Sequence, residues 1–170
     1  MALRHDLVNV LPYLKKKYLK YEAYQRQQID DIFTPEQLKK AFRLEAYEMR
    51  SCVWLNDGKG KFEKKPLPKE AQLSVMYGIS ARDYDGDGKT DILLGGNFYE
   101  SKPEVGIYDA SYGLLLKGDG TGNFVSVPAE KSGINIKGAV RDIKPIKVGK
   151  KMMLFIAKNN AAPEMLSFPR

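Results

Sequence analysis

Nine residues, Asp83-Tyr84-Asp85-Gly86-Asp87-Gly88-Lys89-Thr90-Asp91, constrain this chain more than any other stretch. Carboxylates stand at relative positions 1, 3, 5 and 9, and Gly88 stands at position 6. Oxygen ligands at alternate positions of a tight loop converge on one hard cation, and Ca²⁺ takes about six to eight of them. The main-chain carbonyl of Lys89, at position 7, can add another. Four acidic groups this close repel one another unless a cation lies between them. The alternative is a solvated turn, since Asp and Gly both favour turns.

An EF-hand does not fit. That motif needs a bidentate Glu at its twelfth position and a helix on each side. Position 12 here is Leu94. The flanks, Ser74–Ser80 and Ile92–Gly96, are short, apolar and punctuated by glycine. That pattern suits strands. The loop is therefore expected to join two strands, with Ile92 opening the second.

The run from Asp83 to Gly95 resembles the signature of FG-GAP/VCBS-type repeats, in which a Ca²⁺ loop joins the first two strands of a β-propeller blade, as in the integrin α-chain head. The resemblance covers about residues 46–168, as one well-matched repeat with degenerate neighbours. It implies Ca²⁺ ligands at Asp83, Asp85, Asp87 and Asp91 and at the main chain of Lys89. The loop is specific to this class; little else in the match is.

Internal repetition points the same way. Asp57-Gly58-x-Gly60-x-Phe62 returns as Asp119-Gly120-x-Gly122-x-Phe124, an offset of 62 residues. Each copy follows an apolar run, Cys52–Leu55 or Leu114–Leu116, and each reads as a hairpin with a Gly-rich turn. About 20 residues after the second hairpin lies Val140–Lys150, where Asp142 is the candidate equivalent of Asp83. The other ligands are missing there and lysines crowd the stretch, so one metal site is expected. Met152–Ala157 reads as a buried strand, and Leu166-Ser167-Phe168 as a last short one.

Repeat length limits the assembly. Propellers have about four to eight blades of four strands, so a seven-bladed ring of such repeats would need roughly 400 residues or more. The chain has 170 and holds about two blades. It reads as the C-terminal part of a larger protein. Isolated blades expose sheet edges, which a homodimer or strand exchange would cover.

Residues 1–45 differ in kind from residues 46–170. Asp6 is a candidate N-cap for a short helix through Leu11, and Pro12 interrupts it. Thr34-Pro35-Glu36-Gln37 carries an N-cap Thr, Pro at the first helical position and Gln at the third, which opens a helix to about Arg43. Strand character is expected from about Ala46. The expected fold is thus mainly β: about two propeller-type blades of antiparallel strands behind a segment of short helices. Lys15–Lys17 and Lys20 lie among Tyr13, Tyr18, Tyr21 and Tyr24. Such interleaving can bind nucleic acid. An amphipathic segment with a lysine face and a packed tyrosine face explains it more simply. The net charge of +7 is spread along the chain, so no nucleic-acid partner is expected.

Other chemistry is thinly represented. His5 is the sole histidine and Cys52 the sole cysteine, which excludes an internal disulfide and His-based triads. No apolar run is long enough to span a membrane. No secretion signal is visible, and no Walker-type phosphate loop. The stretch 96–113 is long for a strand connection. Its Asn97, Tyr99, Glu104, Tyr108, Asp109 and Tyr112 form a candidate ligand loop for a protein or carbohydrate, or else pack against the blade. The expected function is a non-enzymatic, calcium-stabilised module for binding or adhesion outside the cytoplasm, where millimolar Ca²⁺ suits a weak site. The alternatives are part of a glycan-active enzyme using a carboxylate pair such as Glu104 and Asp109, or a purely structural scaffold.

Overall fold

A computed structural model describes residues 3–167. Its contacts divide the chain into two units, Met1–Tyr47 and Glu48–Arg170. That division falls two residues beyond the one expected from the sequence.

The first unit consists of short helices: α1 (Arg4–Val10), α2 (Leu14–Lys17), α3 (Ile29–Ile32) and α4 (Pro35–Lys40). Helix α1 starts earlier than expected. Leu3 holds the cap position, and Asp6 lies inside the first turn, where a carboxylate faces the positive end of the helix dipole. At α4 the expected capping box forms. Gln37 N–H donates to Thr34 Oγ1 (3.3 Å) and Thr34 N–H donates to Gln37 Oε1 (2.9 Å). The helix stops at Lys40 rather than Arg43, because Phe42 and Leu44 find nothing to pack against and remain 88% and 81% exposed. Short helices without a buried face do not propagate. The unit's core is Leu14, Tyr18, Tyr24 and Ile32. Tyr18 and Tyr24 meet edge to face at 5.4 Å. These tyrosines are therefore packing groups, and Lys15 and Lys16 lie exposed.

The second unit is mainly β. Its strands are β1 (Cys52–Asn56), β2 (Phe62–Pro66), β3 (Met76–Arg82), β4 (Asp91–Gly96), β5 (Leu114–Gly118), β6 (Phe124–Val127), β7 (Val140–Val148), β8 (Lys151–Lys158) and β9 (Glu164–Leu166). A 3-10 turn covers Lys69–Gln72, and a short helix, α5, covers Ala129–Ser132. The first strand starts at Cys52, not near Ala46, where its pairing with Pro66 begins. The strands form three antiparallel sheets, β1-β2, β3-β4-β5-β6 and β7-β8-β9, each in sequence order.

Strand β4 lies at the centre, buried along its whole length. Successive side chains of a strand point to opposite faces. Ile92 and Leu94 accordingly pack with Leu116 and Ala71, against Val53 and Leu67 on the β1-β2 side. Leu93 points the other way, into Ile134, Ile136, Val140, Ile143, Leu154 and Ile156. Full burial of one such aliphatic side chain contributes roughly 1.5–3 kcal/mol before entropy is counted. Gly78 and Gly95 make the second contact possible. A Cβ on either would lie 2.8–2.9 Å from side-chain carbons of Ile143 or Val140, so their absence lets β7 press onto the four-stranded sheet.

The repeat is visible in the elements. The offset of 62 carries β1 onto β5 residue for residue. It carries the start of β2 onto that of β6, and the end of β4 onto that of β8. The two Gly-rich turns match as well. Asp57 N–H donates to Lys61 O (3.0 Å), and Asp119 N–H donates to Asn123 O (3.1 Å). Strand β8 is not buried throughout: Leu154 and Ile156 are, while Phe155 and Met152 stay 36% and 42% exposed. Of the last expected strand, Leu166 ends β9, and Phe168 lies outside the described residues.

Candidate functional site

The acidic loop joins β3 to β4, as its sequence context requires. Asp91 opens β4, one residue earlier than expected. Gly86 and Gly88 adopt φ of 82° and 80°, a left-handed backbone that side-chain-bearing residues resist. With those two bends in place, amide hydrogens turn toward the carboxylates. Asp83 Oδ1 accepts from Gly86 N–H (2.7 Å) and its Oδ2 from Gly88 N–H (2.9 Å). Asp85 Oδ1 accepts from Asp87 N–H (3.1 Å), and Asp87 Oδ1 accepts from Lys89 N–H (2.9 Å).

Asp91 is the anchor. It is only 2% exposed. Its Oδ2 accepts from Tyr84 N–H (2.9 Å) and its Oδ1 from the buried Gly118 N–H (3.0 Å). One carboxylate thus fixes the start of the loop and ties it to the end of β5. Asp83, Asp85 and Asp91 each present one oxygen, all within 4.8 Å of one another. That donor set, hard and anionic, fits a hard divalent cation; the three oxygens alone do not select Ca²⁺ over others.

The remaining two expected ligands behave differently. Asp87 stands outside that triplet and faces Lys117 Nζ at 3.1 Å and Lys89 Nζ at 3.9 Å. Asp85 pairs with Lys117 through its Oδ2. The amide of Lys89 and then the Lys117 ammonium hold the Asp87 carboxyl below its ordinary value. Asp85 and then Asp87 raise Lys117. Lys89 offers its amide to Asp87, leaving its carbonyl as the group expected to face an ion. Lys117 and Gly118 were not among the residues singled out in the sequence. The available signal was a lysine ending an otherwise apolar run, where the equivalent residue of the first hairpin is Leu55.

Asp142 does not occupy the place of Asp83. It lies within β7, beside a register shift, with Oδ1 accepting from Ile143 N–H (2.9 Å) and pairing with Lys144 at 3.3 Å. Strand β7 continues to Val148 and turns at Gly149-Lys150 directly into β8. The β7-β8 hairpin therefore has no loop in which ligands could converge.

A cleft of about 880 Å³ opens beside the acidic loop. Its walls include Arg82, Asp83, Asp85, Lys150, Lys151 and Leu166.

The long connection from β4 to β5 separates into a pinned base and an exposed remainder. Asn97 adopts φ of 83° and is buried. Its Nδ2 donates to Ser111 O (2.7 Å) and Gly138 O (3.1 Å), while its Oδ1 accepts from Ser111 N–H (2.9 Å) and Ser74 Oγ (2.9 Å). Asn97 is thus a staple across the loop base, not a surface contact for a ligand. Phe98 and Tyr108 bond to each other through both backbone groups. Beyond them, Tyr99, Tyr108 and Tyr112 are 40–55% exposed, and Glu104 and Asp109 are exposed as well. Arg141 bridges the base from β7, lying 4.6 Å over the Tyr77 ring and donating to Asn97 O (3.0 Å). Cys52 is half-buried, its Sγ 3.3 Å from Arg50 O. Among the described residues no helix is long and apolar enough to cross a membrane.

No family model, curated protein or solved structure matches this chain.

Proposed function

We propose that residues 48–170 form a calcium-stabilised β-propeller-type module of the FG-GAP/VCBS kind, with a non-enzymatic binding or adhesion role outside the cytoplasm. The observation that carries this reading is the meeting of Asp83, Asp85 and Asp91 oxygens within 4.8 Å, in the loop between the first two strands of a four-stranded antiparallel meander. A blade is such a meander, stacked face to face on its neighbours. Sheet β3-β4-β5-β6 supports the reading by its strand order, and by the two partial sheets packed on its opposite faces. Ca²⁺ is the ion of choice because three converging carboxylates, with Asp87 and the Lys89 carbonyl nearby, exceed the one or two carboxylates that a hydrated Mg²⁺ usually takes, and Ca²⁺ accepts about six to eight oxygens in irregular geometry.

The binding role rests on the exposed tyrosines of the 97–113 loop, Tyr99, Tyr108 and Tyr112, held out from a pinned base. A protein or carbohydrate is the partner class. Self-association through open strand edges is a further expectation, with exposed Trp54 and Phe62 on one outer sheet and Phe155 and Met165 on the other.

Isothermal titration with Ca²⁺ against chelated protein tests the metal. Saturable binding that Asp85→Ala removes supports the reading; no heat from Ca²⁺ at millimolar concentration overturns it. Screening against glycans and peptides tests the role. Turnover of a glycan would favour an enzyme, and retained binding by Tyr99→Ala and Tyr108→Ala would remove the loop from consideration.

A further inference from the structure

We propose that Lys117 is a tethered cation of the acidic loop: its ammonium neutralises Asp85 and Asp87 in the metal-free protein, and Ca²⁺ must displace it to bind. This rests on the reading of the loop as a metal site. The geometry is specific to Lys117. It stands on β5, a different strand from those that flank the loop, and its Nζ reaches both Asp85 Oδ2 and Asp87 Oδ2. The next residue, Gly118, donates its amide to Asp91 Oδ1. One dipeptide of β5 therefore touches three of the loop's four carboxylates, two through a charge and one through a backbone hydrogen bond. Lys89 is the loop's own lysine, and it meets only Asp87, at 3.9 Å.

The repeat supplies an internal comparison. The residue 62 positions before Lys117 is Leu55, on β1, which packs near Gly122 and carries no charge. Of the two equivalent strands, only the one beside the acidic loop has a lysine here. A lysine that merely kept the strand soluble would have no reason to aim at two carboxylates across the sheet.

Physical consequences follow with opposite signs in the two states. Without metal, the ammonium relieves repulsion among the carboxylates, so its removal destabilises the fold. With metal, the same charge repels the incoming ion and holds two of its ligands, so its removal strengthens binding. A unit charge a few ångströms from a divalent ion in a water-like medium weakens binding about tenfold, less at high salt. In the bound state the lysine swings to solvent, which its 44% side-chain exposure permits.

The test measures Ca²⁺ affinity by titration calorimetry and melting temperature in chelator for the parent, Lys117→Met, Lys117→Gln and Lys117→Arg. The expected result is Ca²⁺ affinity about tenfold tighter in the two neutral variants and within about twofold of the parent in Lys117→Arg, with melting in chelator lowered a few degrees only in the neutral variants. Equal Ca²⁺ affinity in parent and Lys117→Met leaves the metal site standing and overturns the role of Lys117. Weaker affinity in Lys117→Met overturns it too. Ca²⁺ binding by none of the four overturns both this inference and the metal reading beneath it.

Discussion

Two hairpins of the second unit share strand pairing and packing yet close differently. Strands β3 and β4 are joined by residues 83–90, while β7 and β8 are joined by Gly149-Lys150 alone. Both hairpins place a buried aliphatic face against the same core: Leu93 from one, Ile143, Leu154 and Ile156 from the other. The short turn demonstrates that a hairpin of this kind needs only two residues to close, with a glycine in the left-handed region at Gly149. About six of the eight residues, and a set of aspartates, are thus surplus to connection. Something must offset the repulsion those aspartates bring, and the loop meets it with amide hydrogens, Lys117 and a geometry fit for a divalent ion.

The strongest way to break this comparison is to remove the anchor from the long hairpin. Asp91→Ala orphans the buried Gly118 amide and the Tyr84 amide. Each orphaned donor costs about 1–3 kcal/mol, so a loss of about 3 kcal/mol is expected. Urea unfolding in chelator measures it without a contribution from metal. Asp142→Ala, which removes a carboxylate from the short hairpin, should cost less than about 0.5 kcal/mol, since that carboxylate is half exposed and pairs with Lys144 and a neighbouring amide. Equal losses would mean that the long loop has no special anchoring to β5.

Metal addition should separate the hairpins next. For a dissociation constant of about 0.1 mM, Ca²⁺ at about 2 mM stabilises the fold by about 1.8 kcal/mol. For a unit of this size that raises Tm by about 4–7 °C. Asp85→Ala should erase the shift, and Asp142→Ala should leave it intact. Asp87→Ala sharpens the comparison further, because Asp87 stands outside the carboxylate triplet. If it erases the shift as fully as Asp85→Ala, the ion draws Asp87 away from Lys117 on binding. Scanning calorimetry in chelator and in calcium decides; identical melting of the unmutated chain in both would end the structural-metal reading.

Backbone demands come third. Gly88→Ala places a Cβ at φ of 80°, at a cost of about 1 kcal/mol, with open space around it so that no clash adds to the cost. Gly149→Asn in the short turn should cost only a few tenths, since Asn tolerates the left-handed region better than other side chains. Thermal unfolding of both variants in chelator reads the difference. A larger loss at Gly149 would reverse the ranking of the two turns.

Much of this contrast is legible in the sequence. The short, apolar, Gly-punctuated flanks placed the acidic loop between strands, and the repeated Asp-Gly-x-Gly-x-Phe placed β1-β2 and β5-β6, because strand pattern and turn chemistry are local and carry their own signatures. Thr34 and Gln37 marked their helix start for the same reason. What failed depended on distant partners. Asp142 was the candidate equivalent of Asp83 by its distance from the preceding hairpin, but pairing with β8 extends β7 through it. Asn97 looked like a contact group in a polar loop, and only the fold brings Ser74, Ser111 and Gly138 around its amide. Lys117 carries no local signal, because its partners lie 30 or more residues away in sequence, beside a strand whose register the sequence does not state.

The smallest expected effect concerns protons. The Lys89 amide, and then Lys117, hold the Asp87 carboxyl below its ordinary value of 3.8. A carboxyl lowered in the folded state favours folding at pH above its unfolded value, and that contribution is lost as pH falls from about 3.8 through the lower folded value. In chelator, then, Asp87→Asn should melt slightly below the parent at neutral pH, and the two curves should converge in acid. Asp87 is accessible to solvent, so the difference is a degree or so and shrinks with added salt. Lys117→Met should reduce the pH-dependent difference without abolishing it, because the larger cause is a backbone donor that the substitution leaves in place. The short hairpin has no carboxylate-bearing turn to supply such a difference. A parent-minus-Asp87→Asn gap that stays constant from neutral pH into acid would show that this carboxylate gains nothing from its neighbours, and would leave the two hairpins distinguished by Asp91 and the metal alone.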